Sequence, residues 1–203
     1  MSYSFYKRLE KFKIILGSQS PRRAQLLSDL GLNFAIEVRP VDESVPVKLK
    51  GGKAAVCIAE MKWNSFKKEC ALKNQLVITA DTIVSLNNEL IGKPLDDDDA
   101  FQMLRKLSGK VHEVYTGVRI GNSFYAESFA VKTEVLFKQM SEEEITYYIK
   151  EFKPFDKAGA YGAQDWIGLT AVEKINGSFF NVMGLPVKEV YESLIRCCDK
   201  LLK

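Results

Sequence analysis

Residues that could do chemistry on an anion lie far apart in this chain. S-Q-S-P-R-R, from Ser18 to Arg23, stands at the start of a helical stretch. Ser20 suits an N-cap and Pro21 the first helical position, so Arg22 and Arg23 fall in the first turn, where the helix dipole already leaves partial positive charge. Two cations there are locally unfavourable. A docked anion reverses the sign, meeting free backbone N–H groups, the hydroxyls of Ser18 and Ser20 and bidentate guanidinium donors. A capped surface helix with two solvated arginines reads the same residues equally well. Asp81 interrupts V-I-T-A-D-T-I-V, where an acid is costly to bury unless a cation, a metal or a set of donors meets it. Its alternative is a strand-end carboxylate paired to a structural lysine.

Other residues could reach the same place. Lys93, in I-G-K-P just past a hairpin, is one, and equally a surface lysine at a turn. Lys62 lies beside a helical apolar stripe, from which a lysine ordinarily snorkels to water. Glu43, with Asp42, lies in a loop where acids are commonplace; together with Asp81 it could hold a hard divalent ion through oxygen ligands, Mg2+ or Mn2+, which share such sites with substrate phosphates. Between Phe155 and Gly168, Asp156, Lys157 and Gln164 are set among Gly159, Gly162 and Gly168; glycines let backbone approach a ligand, and the Gln amide both donates and accepts. A plain connector is the alternative. Asp96 to Asp99 resemble a metal trap but read as a helix start. His112, the sole histidine, excludes multi-histidine metal sites and reads as a hydrogen-bonded strand residue. Cys57, Cys70, Cys197 and Cys198 show no C-x-x-C spacing and read as reduced thiols.

The elements that position these residues alternate strand and helix. Lys13 to Gly17 reads as a strand, Pro21 to Leu30 as a helix stopped by Gly31, Phe34 to Arg39 as a short strand, Val41 to Pro46 as a loop and Lys53 to Glu69 as a helix. Leu76 to Leu86 returns through Asn87-Asn88 into Glu89 to Ile91. A helix over Ala100 to Leu107 precedes strands Val111 to Ile120 and Phe124 to Phe137, paired through Gly121-Asn122. Ser141 and Glu144 form a capping box for a helix to Lys150, Leu169 to Met183 reads as a hairpin turning at Asn176-Gly177, and Val187 to Leu201 closes the chain as an amphipathic helix. Hairpins among alternating elements predict an α/β class with a mixed sheet and helices on both faces.

The 203 residues, 46% hydrophobic, are enough for a full core. A net charge of +3, dispersed along the chain, excludes the concentrated basic footprint of a nucleic-acid binder. No stretch has the length of uncharged residues that crosses a bilayer, and the N-terminus lacks a signal-peptide core, so the expectation is a cytoplasmic protein with no membrane partner.

In order, S-x-S-P-R-R, A-D-T-I-V, G-K-P, D-K-A-G-A-Y-G-x-Q and N-G-S-x-x-N-V-x-G-L-P resemble the Maf family of nucleoside triphosphate pyrophosphatases, also called septum formation proteins. The resemblance runs from about Ile14 to the final helix, within one domain over 1–203 whose first 12 residues form an extension without an implied role. It implies an elongated mixed sheet with a cleft between two lobes. It also implies hydrolysis of a triphosphate between the α and β phosphates with a divalent cation. Asp81 would then be the proton acceptor; Ser18, Arg22, Arg23, Lys62 and Lys93 would line the phosphate path; and Glu43 would match the acidic loop position. Arg22, Thr82 and Gln164 look like the branch acting on dTTP and UTP. Family members often follow this Gln with glycine, whereas here Asp165-Trp166 follows. Members often dimerise, which allows a homodimer here. The older name leaves a non-catalytic nucleotide-binding regulator of cell division as the alternative function.

Overall fold

The structure, a computed structural model, describes residues 2–44, 46 and 48–203. Val45, inside the acidic loop, and Met1, at the head of the extension, lie outside the described residues. In chain order the elements are α1 (Ser2–Leu9), β1 (Lys13–Leu16), α2 (Pro21–Asp29), β2 (Phe34–Ile36), α3 (Gly51–Asn64), α4 (Lys67–Cys70), β3 (Gln75–Leu86) and β4 (Glu89–Ile91). There follow α5 (Asp97–Leu107), β5 (Val111–Gly121), β6 (Ala126–Phe137), α6 (Glu142–Phe152), a 3-10 turn (Ala158–Ala160), α7 (Trp166–Thr170), β7 (Val172–Asn176), α8 (Phe179–Met183) and α9 (Val187–Leu201).

Among the described residues seven strands form one mixed sheet in the order β2-β1-β3-β5-β6-β7, with β4 paired to β3. The β1–β2 and β1–β3 pairs are parallel and the others antiparallel. Helices cover both faces, and among the described residues two large apolar cores divide the length of the sheet, with two smaller clusters beneath α3 and α4. At one end Leu16, Leu27, Ile78, Ile120 and Leu194 pack with α1 and α9; at the other Val84, Leu104, Phe137, Ile145 and Tyr148 pack under α5 and α6. These cores make the two lobes.

Local signals account for many boundaries. Asp96 accepts from Asp99 N, so α5 begins at Asp97 rather than Ala100, and the acid run is a cap with a negative first turn. Ser141 and Glu144 close their reciprocal box. The expected Lys53–Glu69 helix is two, α3 and α4, broken where Phe66 turns into the core. The hairpin expected over Leu169 to Met183 is not formed: Trp166–Thr170 is helical, and only β7 is a strand. Ser178 accepts from Asn181 N and starts α8, which Gly184 ends with φ +116°. The N-terminal extension is structural, since Phe5, Leu9 and Phe12 are buried in the first core and Tyr6 Oη donates to Leu30 O at 2.8 Å.

The approach of α3 to the sheet depends on Gly117, opposite Asp81 on β5. A Cβ there would stand 2.3 Å from Ala55 C and Val56 N, so only glycine lets the helix backbone lie this close. Thr79 Oγ1 donates to Ala59 O at 2.7 Å and pins the same helix to β3.

Candidate active site

One edge of β3 carries β1 as far as Ile78 and β4 from Val84 onward. Between them, Thr79 to Ile83 has, among the described residues, a strand partner only on the β5 side. A cleft of about 690 Å³ opens over this gap, lined by the loop Gly17–Ser20, the start of α2, Asp81, Thr82, Lys62, Glu43, Lys93 and the segment from Asp156 to Gln164. All of the sequence-predicted site residues therefore line one cavity.

The two arginines separate in role. Arg23 is buried, and its Nε donates to Gly184 O at 2.8 Å, its Nη1 to Ala80 O at 2.9 Å and Ser18 Oγ at 3.2 Å, and its Nη2 to Thr82 Oγ1 at 3.0 Å. Four of the five guanidinium hydrogens are thus bound by protein, one of them to the strand carbonyl that the gap leaves without a sheet partner. Burial draws the Arg23 guanidinium down from its ordinary value, opposed by the charge of Asp81. Arg22 points across the cleft, where Nη1 meets Asp156 Oδ2 at 2.9 Å, so this pair joins α2 to the loop of the other lobe. Burial alone would raise Asp156, but hydrogen bonds from Lys157 and Arg22 hold it below the usual carboxylate value. Ser20 starts α2 without a side-chain cap, and Ser18 Oγ accepts from Ser20 N instead.

Asp81 lies on the face of β3 turned to α3. Its Oδ1 meets Lys62 Nζ at 2.7 Å, and the same ammonium reaches Glu43 Oε1 at 3.0 Å. Lys62 therefore does not snorkel; it is largely buried between two carboxylates. Thr82, on the opposite face, shares its hydroxyl with Arg23 and with Thr116 Oγ1 at 3.0 Å. Lys93 is exposed at the rim, with no ion-pair partner among the described residues. On the far wall Gln164 Nε2 donates to Asp165 Oδ1 at 2.8 Å, while its Oε1 is buried without a hydrogen-bond partner.

Asp81 and Glu43 offer hard oxygens on either side of the Lys62 ammonium, and among the described residues no three His, Cys, Asp or Glu side chains form a cage. That donor set fits Mg2+ or Mn2+, which take one or two carboxylates and complete their shells with water and phosphate oxygens.

Arg39 also lines the cleft, a position that sequence reasoning missed. It bonds Glu69 at 2.6 Å and lies 4.3 Å from the Phe66 ring centroid, and no motif marks it. Asn181 of the N-G-S-x-x-N motif lies behind the site, its Nδ2 donating to Val114 O at 3.1 Å and Thr133 Oγ1 at 3.0 Å. His112 is away from the cleft, 2.7 Å from Tyr161 Oη, and burial pushes its imidazole down to about 4.

The chain is 49% identical to a dTTP/UTP pyrophosphatase of Phocaeicola vulgatus, over 93% of this chain and 97% of that protein. It is 46% identical to a dTTP/UTP pyrophosphatase of Flavobacterium johnsoniae, over 93% and 96%. A HAM1 protein from Coxiella burnetii shares the fold, with a TM-score of 0.53 at 12% identity over 91% of this chain and 99% of that one. The family described as Maf-like protein matches residues 13–197, from the first strand into the last helix, and the chain belongs to that family.

Proposed function

We propose that the protein hydrolyses dTTP and UTP to the nucleoside monophosphate and pyrophosphate. The observation that carries this reading is one cleft in which a mostly buried acid, Asp81, faces the cations Arg22, Lys62 and Lys93. The names of the relatives support the same reaction.

A triphosphate laid over the gap in β3 meets Ser18, the start of α2, Arg22 and Lys93 along its phosphates, with the last free hydrogen of Arg23 beside them. Asp81 accepts a proton from water as the water oxygen bonds to the α-phosphorus; the bond from that phosphorus to the bridging oxygen breaks, and pyrophosphate leaves with that oxygen. Lys62, held by Asp81 and Glu43, keeps positive charge beside the developing anion, and Arg22 and Lys93 stabilise the departing group. A divalent cation held by Asp81 and Glu43 together with substrate phosphates would supply further neutralisation of the phosphate charge. Gln164, with Thr82 and Arg22, forms the specificity set, and the free Oε1 of Gln164 suits the N3–H that thymine and uracil share.

The cytoplasm, where nucleoside triphosphates are held, is the compartment this reaction requires; no described helix is long and apolar enough to cross a membrane. A homodimer belongs to the same reading and is read from the mass of the protein in solution. The test of activity is incubation with dTTP, UTP, CTP and the purine triphosphates with Mg2+, separating pyrophosphate from orthophosphate. Pyrophosphate from dTTP and UTP is the expected result. Tight binding without product would make the protein a nucleotide-binding regulator, and orthophosphate release would overturn the site of attack.

A further inference from the structure

The residue after Gln164 is an acid whose side chain is spent on its neighbour. Asp165 stands at the N-cap of α7, where an aspartate ordinarily accepts from the helix's own N–H groups, yet it makes no such bond. Its Oδ1 instead accepts from Gln164 Nε2 at 2.8 Å. Its Oδ2 accepts from Tyr148 Oη at 3.0 Å and lies 3.6 Å from Lys157 Nζ. Tyr148 is fully buried and its hydroxyl accepts in turn from Gly162 N at 3.1 Å, so the phenol has one direction in which to donate. Burial, and then the charge of Asp165, push Tyr148 above its ordinary value, which keeps that proton on the phenol.

A carboxylate only accepts, whereas an amide presents an acceptor at one end and donors at the other. The bond to Asp165 therefore fixes which end of the Gln164 amide is free: Nε2 is anchored and Oε1 is left over. A pyrimidine held by its sugar and phosphates places its N3 edge at one position whatever the base. Uracil and thymine present a donor there and cytosine an acceptor. An amide free to turn over would satisfy either base, Oε1 meeting the N3–H of uracil or Nε2 meeting N3 of cytosine while Oε1 takes the cytosine amine. An amide of fixed polarity satisfies one. We infer that Asp165 is a positioning residue that locks the polarity of Gln164 and so makes the cleft select uracil and thymine triphosphates against CTP.

This inference rests on the proposed pyrophosphatase reading, and the experiment separates the two. Pyrophosphate release from UTP, dTTP and CTP is measured for the wild-type protein, Asp165→Asn and Asp165→Glu, and the ratio of kcat/KM for UTP to that for CTP is compared. In Asp165→Asn the phenol of Tyr148 still donates to the Asn carbonyl, so the Asn NH2 faces Gln164 and donates to its Oε1, which leaves Nε2 as the free end and reverses the polarity. The ratio is expected to fall about tenfold or more, chiefly through CTP gaining, while Asp165→Glu keeps the preference. A merely structural role would depress both substrates together and leave the ratio alone. Should Asp165→Asn not fold, Asp165→Ser, whose hydroxyl also donates and accepts, makes the same comparison. A selective wild-type enzyme whose ratio is unchanged in the folded variant overturns the role of Asp165 and leaves the activity standing. A wild-type protein that releases no pyrophosphate from UTP or dTTP overturns the activity itself, and this inference with it.

Discussion

Adjacent arginines, Arg22 and Arg23, should fail in opposite ways when removed. Arg23→Ala deletes the donor to two buried carbonyls, Ala80 O and Gly184 O. Ser18 Oγ and Thr82 Oγ1 keep other partners, Ser20 N and Thr116, so the loss is concentrated on the two carbonyls. Each buried acceptor left without a donor costs about 1–3 kcal/mol, which gives roughly 2–6 kcal/mol in all, the lower end applying where water fills the space. In a protein of this size each kcal/mol moves the melting temperature by about 2–4 °C, so a central loss of ~4 kcal/mol lowers it by about 8–16 °C. Arg22→Ala removes one partly exposed ion pair with Asp156, worth about 0–1 kcal/mol, and should melt within about 4 °C of the wild type while losing turnover. Arg23→Lys falls between, because one ammonium does not span acceptors that the planar fork reaches together. Thermal unfolding followed by circular dichroism measures all three. An Arg23→Ala protein that melts within about 2 °C of Arg22→Ala would refute the separation of roles.

Asp81→Asn keeps the shape of the side chain, and Lys62 retains Glu43, so the fold should hold while pyrophosphate release from dTTP drops by about a hundredfold or more; near-normal turnover removes Asp81 from the proton-accepting role. His112, held neutral with its imidazole pushed from 6.5 down to about 4, gives stability that is full above pH 6.5 and is lost as the pH falls toward 4, because the unfolded chain takes the proton first. Between pH 7 and 5 that loss is about 2 kcal/mol, measured by urea unfolding, and His112→Gln should abolish this part of the slope. Glu127, lowered to about 2 chiefly by Arg196, titrates in a lower window, from about 4.5 down to 2, and does not confuse the reading. Gly117→Ala drives a methyl into the backbone of α3, at a cost of about 1–3 kcal/mol or more, and displaces Lys62 from Asp81. Urea unfolding and turnover should both suffer; a variant normal in both would show that the close approach of α3 is dispensable.

Features written in neighbouring residues were legible in the sequence. The Asn87-Asn88 turn has positive φ at both positions, the Ser141–Glu144 box closes, and α9 spans Val187–Leu201 as its apolar stripe requires. The site residues were legible as a set because motifs carry them. Their division of labour was not. The acceptors of Arg23 stand at Ser18, Ala80, Thr82 and Gly184, the last separated by 161 residues, so nothing near Arg23 in the chain distinguishes it from Arg22. The misread hairpin has a similar cause. After β7, alternation continues weakly through F-F-N-V-M, and what makes it helical is a serine cap together with the clamp of Asn181 onto Val114 and Thr133, a tertiary contact. Nor does the extension show its function locally, since Phe5 and Leu9 of α1 share a core with α9, at the other end of the chain, where Phe5 meets the Tyr191 ring.

The position of Asp81 follows from the pairing of β3. A carboxylate in the middle of a fully paired strand would sit in a dry sheet, yet on one edge of β3 the pairing with β1 stops at Ile78 and the pairing with β4 starts at Val84. Within that interruption Asp81 turns to α3 and meets Lys62, while Thr82 turns to the other face and meets Arg23. An open strand edge is a liability, because its carbonyls seek donors; here Arg23 supplies one to Ala80 O from inside the protein. The same interruption brings the end of β1, and with it the first turn of α2, to the mouth of the cleft, where parallel strands commonly deliver ligand-binding loops. The acid, the helix start at the cleft and the boundary between the two lobes thus share one origin, a strand long enough to serve both lobes and left open where they meet.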